Sequence, residues 1–278
     1  TGFEINQNIF LGHQRLSVIE ISEKSNQPMT SFCERYVCIY NGEIYNFKKL
    51  RLSLIKKKIK FKTKSDTEVI INSYKAWGED CLKYFEGMYA FFIYDKKTKK
   101  IFAARDRMGI KPLFFYFKNN FFSISSEVDP IVSLIKDYSF NNKAISSYLS
   151  FRYVLNNETF FKEINEIPPG HYLTFYNNKI IIKKYWSHEA INITNSPEVD
   201  DEISLEKNLK SLVKSSVKKH LESDIPVSAY LSGGVDSSIM VYEMTKLMKK
   251  KLETFCIYFE NGDKEDLKNA RIVAKKFN

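Results

Sequence analysis

The sequence predicts two domains of different class, an α+β sandwich followed by an α/β unit with parallel strands. At 278 residues the chain is long enough for about two domains. In the first part, many short, aromatic-rich strands occur with only two or three helices, which is typical of a layered α+β domain. In the last part strand and helix patterns alternate, and this order predicts parallel strands joined by a crossover.

Composition favours a folded protein without a membrane partner. The apolar content of 44% is normal for a globular chain. No apolar run approaches the ~20 residues of a membrane-spanning helix, and the N-terminal stretch lacks the basic start and apolar core of a secretory signal. The cysteines form no CxxC pair and lie in apolar segments, from which we expect buried free thiols and a cytoplasmic protein. They are Cys33, Cys38, Cys81 and Cys256.

Net charge raises the question of a nucleic-acid partner. The chain carries 43 basic and 33 acidic residues, a formal net charge of +10. Much of the excess lies in residues 48–64, where a basic patch is one interpretation. Leu50, Leu54 and Ile59 interleave with these lysines, however, and predict an amphipathic helix with one solvated face. We therefore expect no nucleic-acid partner, although a positive field would favour an anionic substrate.

Two charged or polar groups stand out among the first predicted strands. Residues 9–19 mix apolar and polar types as in a strand, which would place His13 and Arg15 on one face. A lone arginine in a strand is most often a surface charge. Residues 36–40 form an apolar strand that we expect to end at Asn41-Gly42, a turn signal, ahead of Glu43 and the lysine-rich helix.

The next polar group has the chemistry of a helix start. Ser65 or Asp66 is expected to cap a helix with Glu68 in its first turn, and the helix should continue to about residue 85 with an interruption near Gly78. Residues 87–95 and 101–106 follow as strands that we expect to pair antiparallel.

Residues 226–238 predict a strand, a turn with two glycines and a helix. Glycines let backbone N–H groups approach a ligand, and the new helix adds unpaired N–H groups, so the segment has the features of an anion cradle. Ser232, Ser237 and Ser238 supply hydroxyls at the same place. The alternative is an ordinary strand-to-helix connection capped by Asp236, but the flanking serines favour phosphate binding.

The motifs together resemble a known enzyme family. Residues 232–238, Ser-Gly-Gly-Val-Asp-Ser-Ser, resemble the pyrophosphate loop of ATP pyrophosphatases, which split ATP into AMP and pyrophosphate. The first domain resembles the class II glutamine amidotransferase domain, an N-terminal-nucleophile hydrolase with a four-layer αββα sandwich. The segments that carry this second resemblance are His13-Gln14-Arg15-Leu16-Ser17, Asn41-Gly42-Glu43-Ile44-Tyr45-Asn46, Ser65-Asp66-Thr67-Glu68, Gly87-Met88-Tyr89-Ala90-Phe91, residues 104–113 and Ile167-Pro168-Pro169-Gly170.

An amidotransferase half followed by a pyrophosphate loop resembles the glutamine-hydrolysing asparagine synthetase family. The resemblance implies an amidotransferase domain over residues 1–185, a linker over 186–202, and over 203–278 the start of an α/β parallel-sheet ATP-pyrophosphatase domain, adenine nucleotide alpha hydrolase-like in fold. Both ends would then be missing, because the chain begins at Thr1 and stops before the family's second substrate motif.

The resemblance also implies roles for residues of the first domain. Arg15 would hold the α-carboxylate of glutamine, to which a planar guanidinium is suited. Asp66 and Glu43 would face its α-ammonium group. Asn41 and Gly42 would form the oxyanion hole, through a side-chain amide and a backbone N–H.

In the second domain the resemblance implies a site for ATP and magnesium. Leu231 and Ile257 would contact the adenosine, the backbone of residues 232–238 would hold the pyrophosphate, and Asp236 would lie near the magnesium ion. The residues expected to bind ATP are Leu231, Ser232, Gly233, Gly234, Asp236, Ser237, Ser238 and Ile257.

The family's nucleophile is an N-terminal cysteine whose own α-amine acts as base, and this sequence contains no such residue. Thr1 has suitable chemistry, but Thr1-Gly2-Phe3 resembles a segment that follows the nucleophile. The cysteines present have their amines in peptide bonds. We therefore expect this chain by itself to be inactive as a glutaminase.

The implied reaction is the ATP-dependent amidation of aspartate through β-aspartyl-AMP. Ammonia would come from glutamine, and AMP, pyrophosphate and glutamate would be released. The enzyme would act on small molecules, as a homodimer in one interpretation. Two alternatives stay open. One is a paralogue that amidates another carboxylate, such as a surface-sugar acid or an antibiotic precursor, since the acceptor pocket would lie beyond Asn278. The other is a non-catalytic nucleotide-binding remnant.

Overall fold

The computed structural model describes residues 2–6, 9–188, 201–259 and 264–277. The chain divides into two compact units, Thr1–Asn192 and Ile193–Asn278. Most of the predicted linker, and Thr1 itself, lie outside the described residues.

The first unit is built mainly of short antiparallel strands. Its strands are β1 (Gly2–Asn6), β2 (Ile9–His13), β3 (Met29–Thr30), β4 (Tyr36–Ile44), β5 (Gly87–Asp95), β6 (Ile101–Arg105), β7 (Phe114–Lys118), β8 (Phe121–Ser125), β9 (Ile164–Glu166), β10 (His171–Tyr176) and β11 (Lys179–Lys184). Its helices are α1 (Phe47–Lys56), α2 (Asp66–Trp77), α3 (Asp129–Leu134) and α4 (Asn142–Phe151), with 3₁₀ turns at Glu23–Ser25 and Gly78–Lys83.

The strands form two larger sheets and one hairpin. Six strands pair in the order β11-β10-β6-β5-β4-β3, β7 lies between β8 and β9 in a second sheet, and β1 pairs with β2. β5 and β6 pair antiparallel, as predicted. The register of β4 on β5 runs through nine residue pairs from Tyr36 opposite Asp95 to Ile44 opposite Gly87, so β4 is tied to its neighbour along its whole length.

The packing order confirms the predicted four-layer αββα sandwich. Alternate residues of β5 face opposite sides of the sheet: Phe91 lies in the cluster with α1 and α2, whereas Phe92 lies in the cluster shared with the second sheet. On the second sheet, Phe115 faces this inner cluster while its neighbour Tyr116 packs against Ile131 of α3. The layers are therefore helix, sheet, sheet and helix.

The helix predicted from Ser65 begins where its capping signal lies. Ser65 is the N-cap of α2 and its hydroxyl accepts a hydrogen bond from the backbone N–H of Thr67 at 3.1 Å. The carboxylate of Glu68 accepts from the backbone N–H groups of Lys62 and Thr63, at 2.8 and 2.7 Å. The helix ends at Trp77, just before Gly78, as the predicted interruption requires.

Two local predictions are wrong. The strand expected over residues 9–19 ends at His13, so Arg15 lies on an irregular segment whose carbonyl groups bind its guanidinium. Asn41-Gly42 is not a turn, because both residues lie inside β4 and pair with Ala90 and Tyr89 of β5. In both places long-range pairing decides the backbone path, and a local pattern does not contain that information.

The cysteines are only partly as expected. Cys38 and Cys81 are buried, whereas Cys256 is half-buried and Cys33 is exposed. Cys33 differs because it lies in the turn between β3 and β4 rather than on a core-facing strand. Among the described residues, no helix has the length and apolar character needed to cross a membrane.

The second unit has alternating helices and parallel strands. It contains α5 (Glu202–His220), β12 (Ala229–Tyr230), α6 (Val235–Leu247), β13 (Thr254–Phe255) and α7 (Glu265–Phe277). The two strands pair parallel, which confirms the prediction, and each is only two residues long. The buried core of the unit consists of Val217, Leu231, Val241, Met244, Leu252 and Ala270.

The apolar spacing of residues 203–221 predicts an amphipathic helix with one core-facing stripe, formed by Ile203, Leu209, Leu212, Val213 and Val217, but core packing accounts for only part of that stripe in α5. Of its expected apolar stripe, Val217 is buried and Val213 packs partly on the core. Ile203, Leu209 and Leu212 are exposed. Only the C-terminal turns of α5 therefore reach this core.

Candidate functional site

A cavity of about 680 Å³ lies in the first unit, where residues of β2, β4 and the start of α2 meet. All five residues predicted for the glutamine site line it: Arg15, Asn41, Gly42, Glu43 and Asp66. They come from three separate stretches of the sequence, so their convergence is a result of the fold.

Asp66 is the buried acid of this cavity. It is the first residue of α2 and only 5% exposed. Its Oδ2 atom accepts hydrogen bonds from the hydroxyl of Tyr40 at 2.8 Å and from the backbone N–H of Ile44 at 3.2 Å. Burial raises the pKa of Asp66, while these hydrogen bonds oppose the shift. A cationic ligand group beside this carboxylate would compensate for the solvation that it has lost.

Arg15 provides the positive charge. Its Nη2 donates to the carbonyl oxygens of Ile19 and Glu20, at 2.6 and 2.7 Å, which fixes the guanidinium on the segment after β2. Burial lowers the pKa of Arg15, and the charge of Asp66 acts in the opposite direction. An arginine stays protonated despite such a shift, so the cavity contains a cation and an acid suited to the two charged ends of an amino acid.

Asn41 and Gly42 lie side by side on β4, at the cavity wall. Gly42 has a φ of 141°, and a Cβ at this position would overlap the carbonyl oxygen of Met88. Only glycine therefore allows β4 to approach β5 this closely. The exposed side chain of Asn41 adds an amide donor beside the backbone of Gly42, which is the pair of groups that an oxyanion hole requires.

Sequence reasoning missed two polar residues of this cavity. His13 Nε2 donates to the carbonyl oxygen of Tyr40 at 3.1 Å, and burial lowers the pKa of His13. Gln27 Oε1 accepts from the backbone N–H of Tyr40 at 2.6 Å, while its Nε2 donates to the hydroxyl of Thr67 at 3.4 Å. His13 carried a signal, since it lies two residues before Arg15. Gln27 carried none, because its partners are far away in the sequence.

In the second unit, the serine- and glycine-rich turn connects β12 to α6, as predicted. Gly233 has a φ of 80°, and a Cβ there would lie 2.5 Å from the backbone nitrogen of Ala270, so α7 packs directly on this turn. Leu231 is buried in the core, whereas Ile257 is exposed. The side chain of Leu231 therefore packs inward, and its backbone N–H donates to the carbonyl oxygen of Phe255 at 2.8 Å.

Hydroxyl groups surround the start of α6. The Oγ atoms of Ser232 and Ser237 lie 3.0 Å apart, and Ser238 Oγ donates to the carbonyl oxygen of Gly234 at 2.7 Å. Gly234 is the N-cap and no side chain caps the helix. The first N–H groups of a helix lack helical acceptors, and here they lie beside hydroxyl donors, so the residues present fit a phosphate group.

The described residues contain no group of three or more histidine, cysteine, aspartate or glutamate side chains that could hold a metal ion. Asp236 is exposed in the first turn of α6. One carboxylate is sufficient for a magnesium ion that takes its other ligands from substrate phosphates and water, so the donor set fits magnesium bound together with a nucleotide.

Comparison with known proteins assigns the family. Residues 1–186 match the model of the glutamine amidotransferase domain. The chain belongs to this family. Residues 208–278 match a second family model, that of asparagine synthase, and the two matches follow one another in the order that the motifs predicted.

The chain is also similar to proteins that carry names. The chain is 37% identical over 268 residues to asparagine synthetase [glutamine-hydrolyzing] 3 of Bacillus subtilis, covering 92% of this chain and 42% of that protein. It is 34% identical over 290 residues to putative asparagine synthetase [glutamine-hydrolyzing] 2 of Methanocaldococcus jannaschii, covering 98% of this chain and 55% of that protein. A more distant relative is amidase chry2 of Gibberella zeae, 29% identical over 250 residues, covering 89% of this chain and 36% of that protein. The chain spans about half the length of the first two relatives.

Proposed function

We propose that this chain contains the glutamine site, and the beginning of the ATP site, of a ligase that amidates aspartate with nitrogen from glutamine. The observation that carries the proposal is the cavity of the first unit, which is lined by an arginine, two acids and an Asn-Gly pair. The match of residues 208–278 to the asparagine synthase family supports the second half of the proposal.

Glutamine would bind by its two charged ends. Arg15 forms an ion pair with the α-carboxylate, and Asp66 with Glu43 receives the α-ammonium group. The carboxamide then lies toward Asn41 and Gly42, whose donors stabilise the negative charge that develops on its oxygen during hydrolysis. Losing one such donor typically lowers the rate about 100-fold or more.

ATP would be the second substrate. The backbone from Ser232 to Ser238 would hold the pyrophosphate portion, and Asp236 would bind magnesium together with the phosphates. Ile257, which is exposed, and the chain at Leu231, whose side chain is buried, would lie at the adenosine. ATP supplies the adenylyl group that activates the acceptor carboxylate for attack by ammonia. The exposed start of α6, with its hydroxyls and its N-terminal N–H groups, supports this assignment.

We also propose that the protein works in the cytoplasm on small molecules. Its assembly as a homodimer stays a prediction. Cys38 and Cys81 support the reducing compartment, because both are free and buried and burial raises the pKa of both thiols. Neither would be a reactive thiolate at neutral pH.

A paralogous activity is the second candidate. It is favoured by the similarity to the amidase of Gibberella zeae, which covers 89% of this chain. In that case the same glutamine and ATP sites would serve amidation of another carboxylate. Release of AMP by the full-length protein separates the two candidates, because only the aspartate-amidating enzyme requires aspartate for it.

The glutamine site can be tested on this chain by isothermal titration calorimetry with L-glutamine. We expect saturable binding that is weakened at least about tenfold by Arg15→Ala, because the variant loses a charge-assisted contact to the carboxylate. Arg271→Ala is the matched control, since it removes an exposed arginine of the second unit. Absence of glutamine binding by the wild-type chain, or equal affinity of both variants, would contradict the proposal.

A further inference from the structure

Tyr40 is a buried residue at the centre of the cavity's hydrogen bonds, although the motif that predicted the site begins one residue after it. It is 4% exposed. Its backbone N–H donates to Gln27 Oε1, its carbonyl oxygen accepts from His13, and its hydroxyl donates to Asp66. All three polar groups of this one residue are therefore bonded to side chains that line the cavity.

These contacts join three parts of the cavity wall. His13 is the last residue of β2 and lies two residues before Arg15. Asp66 begins α2, and Gln27 also bonds Thr67 of the same helix turn. Tyr40 itself directly precedes Asn41 and Gly42 on β4. Displacement of Tyr40 would thus alter the carboxylate-binding segment, the acid and the oxyanion pair together.

The hydroxyl contact is the one that affects charge. Asp66 loses solvation on burial, and the hydroxyl of Tyr40 is the first of several donors, with the backbone N–H groups of Ile44 and Thr67, that stabilise the ionised form. Hydrogen bonds to a buried carboxylate favour its charged state. An ammonium group is bound well only by the charged state.

We propose that Tyr40 is a positioning residue of the glutamine site, which keeps the carboxylate of Asp66 ionised and correctly placed for the ligand's α-ammonium group. The inference rests on the proposed function of this cavity as a glutamine site. It extends that function by naming a residue whose side chain acts on the ligand only through Asp66.

Other titratable groups surround this pair and contribute to its titration. On β4, the buried thiol of Cys38 and the carboxylate of Glu43 are near the ring of Tyr40. From the segment after β2, Arg15 interacts with Asp66 and favours its ionised form. Burial raises the pKa of Tyr40 well above its ordinary value, so its hydroxyl remains a donor at neutral pH.

The test compares Tyr40→Phe with the wild-type chain by isothermal titration calorimetry at neutral pH. Because the ring stays, packing is kept and only the donor is lost. We expect the dissociation constant for L-glutamine to rise about tenfold or more, since hydrogen bonds to charged groups are the strong ones. Tyr36→Phe is the matched control, because it removes a hydroxyl from the same strand outside this cavity.

Three further experiments separate a positioning role from a general loss of structure. 4-Carbamoylbutanoate, which is glutamine without the α-amine, should bind equally to wild type and Tyr40→Phe. The ¹³C signal of the Asp66 carboxyl, titrated without ligand, should show a higher midpoint in Tyr40→Phe. Asp66→Asn, which retains an acceptor for Tyr40 but no charge, should weaken the binding of glutamine and leave the binding of 4-carbamoylbutanoate unchanged.

The outcomes distinguish this inference from the proposed function beneath it. If the wild-type chain binds no glutamine, both the proposed function and this inference fail. If the wild type binds glutamine but the affinity and the Asp66 midpoint are unchanged in Tyr40→Phe, the inference alone is overturned. Equal weakening of both ligands also overturns it, because a purely structural defect would not discriminate the α-amine.

Discussion

At the residue scale, the chemistry of the cavity depends on a carboxylate that is buried away from water. Asp66 is buried, and burial raises its pKa. A group whose folded-state pKa lies above the unfolded value contributes stability below the unfolded pKa, and that contribution is lost as pH rises through the folded pKa. At neutral pH the ionised Asp66 is therefore a cost to folding, which the proposed ligand would offset.

Asp66→Asn should consequently stabilise the protein while it weakens glutamine binding. The amide oxygen can still accept from Tyr40 and Ile44, and the buried charge is removed. We expect an increase of about 0.5–2 kcal/mol in the free energy of unfolding at neutral pH, measured by urea denaturation. The gain should disappear near about pH 4, where the wild-type carboxyl is itself protonated. A variant less stable than wild type at neutral pH would show that the carboxylate is a structural requirement.

At the element scale, the sequence predicted elements better than it predicted the path of the backbone within them. The cap at Ser65 and the break at Gly78 are local signals, and α2 has both. Asn41-Gly42 is also a local signal, for a turn, but the nine residue pairs between β4 and β5 hold these two residues in an extended strand. The roles of Tyr40 and Gln27 were not predictable for the same reason, since their contacts form only when β4 and α2 meet.

Helix α5 shows the same limit for burial. Its apolar stripe is helical in spacing, yet Leu209 is 62% exposed and Leu212 is 69% exposed, while Val217 is 1% exposed. Periodicity shows which residues share a face of a helix, but it does not show how much of that face is buried against another element.

The difference in exposure predicts that substitutions along the apolar stripe of α5 change stability by unequal amounts. Leu209→Gln and Leu212→Gln should each change the unfolding free energy of the second unit by no more than about 0.5 kcal/mol, because exposed positions contribute little. Val217→Ala should cost about 1–3 kcal/mol, because it leaves a cavity among buried side chains. Urea denaturation followed by circular dichroism measures all three. A large cost at Leu209 or Leu212 would mean that the face is covered in solution.

At the scale of the whole molecule, the two units have cores of their own and different kinds of sheet. The first unit buries its side chains between helices and two antiparallel sheets, and the second around two parallel strands. The sequence predicted both classes, because strand density and the alternation of strands with helices are properties of long stretches and tolerate errors at single residues. Motif resemblance selected five residues for a proposed glutamine site, and the fold brings all five to one cavity.

Separate cores predict separate responses to the two proposed substrates. Heating followed by calorimetry should show two transitions, and a ligand raises only the transition of the unit that binds it. Glutamine at about 100 times its dissociation constant should add about 2.7 kcal/mol to the stability of the first unit, and ATP with magnesium should act on the second. Asp66→Asn should reduce the glutamine shift and leave the ATP shift intact. A single transition moved by both ligands would instead show that the two units unfold as one, since binding in either half would then stabilise the whole chain.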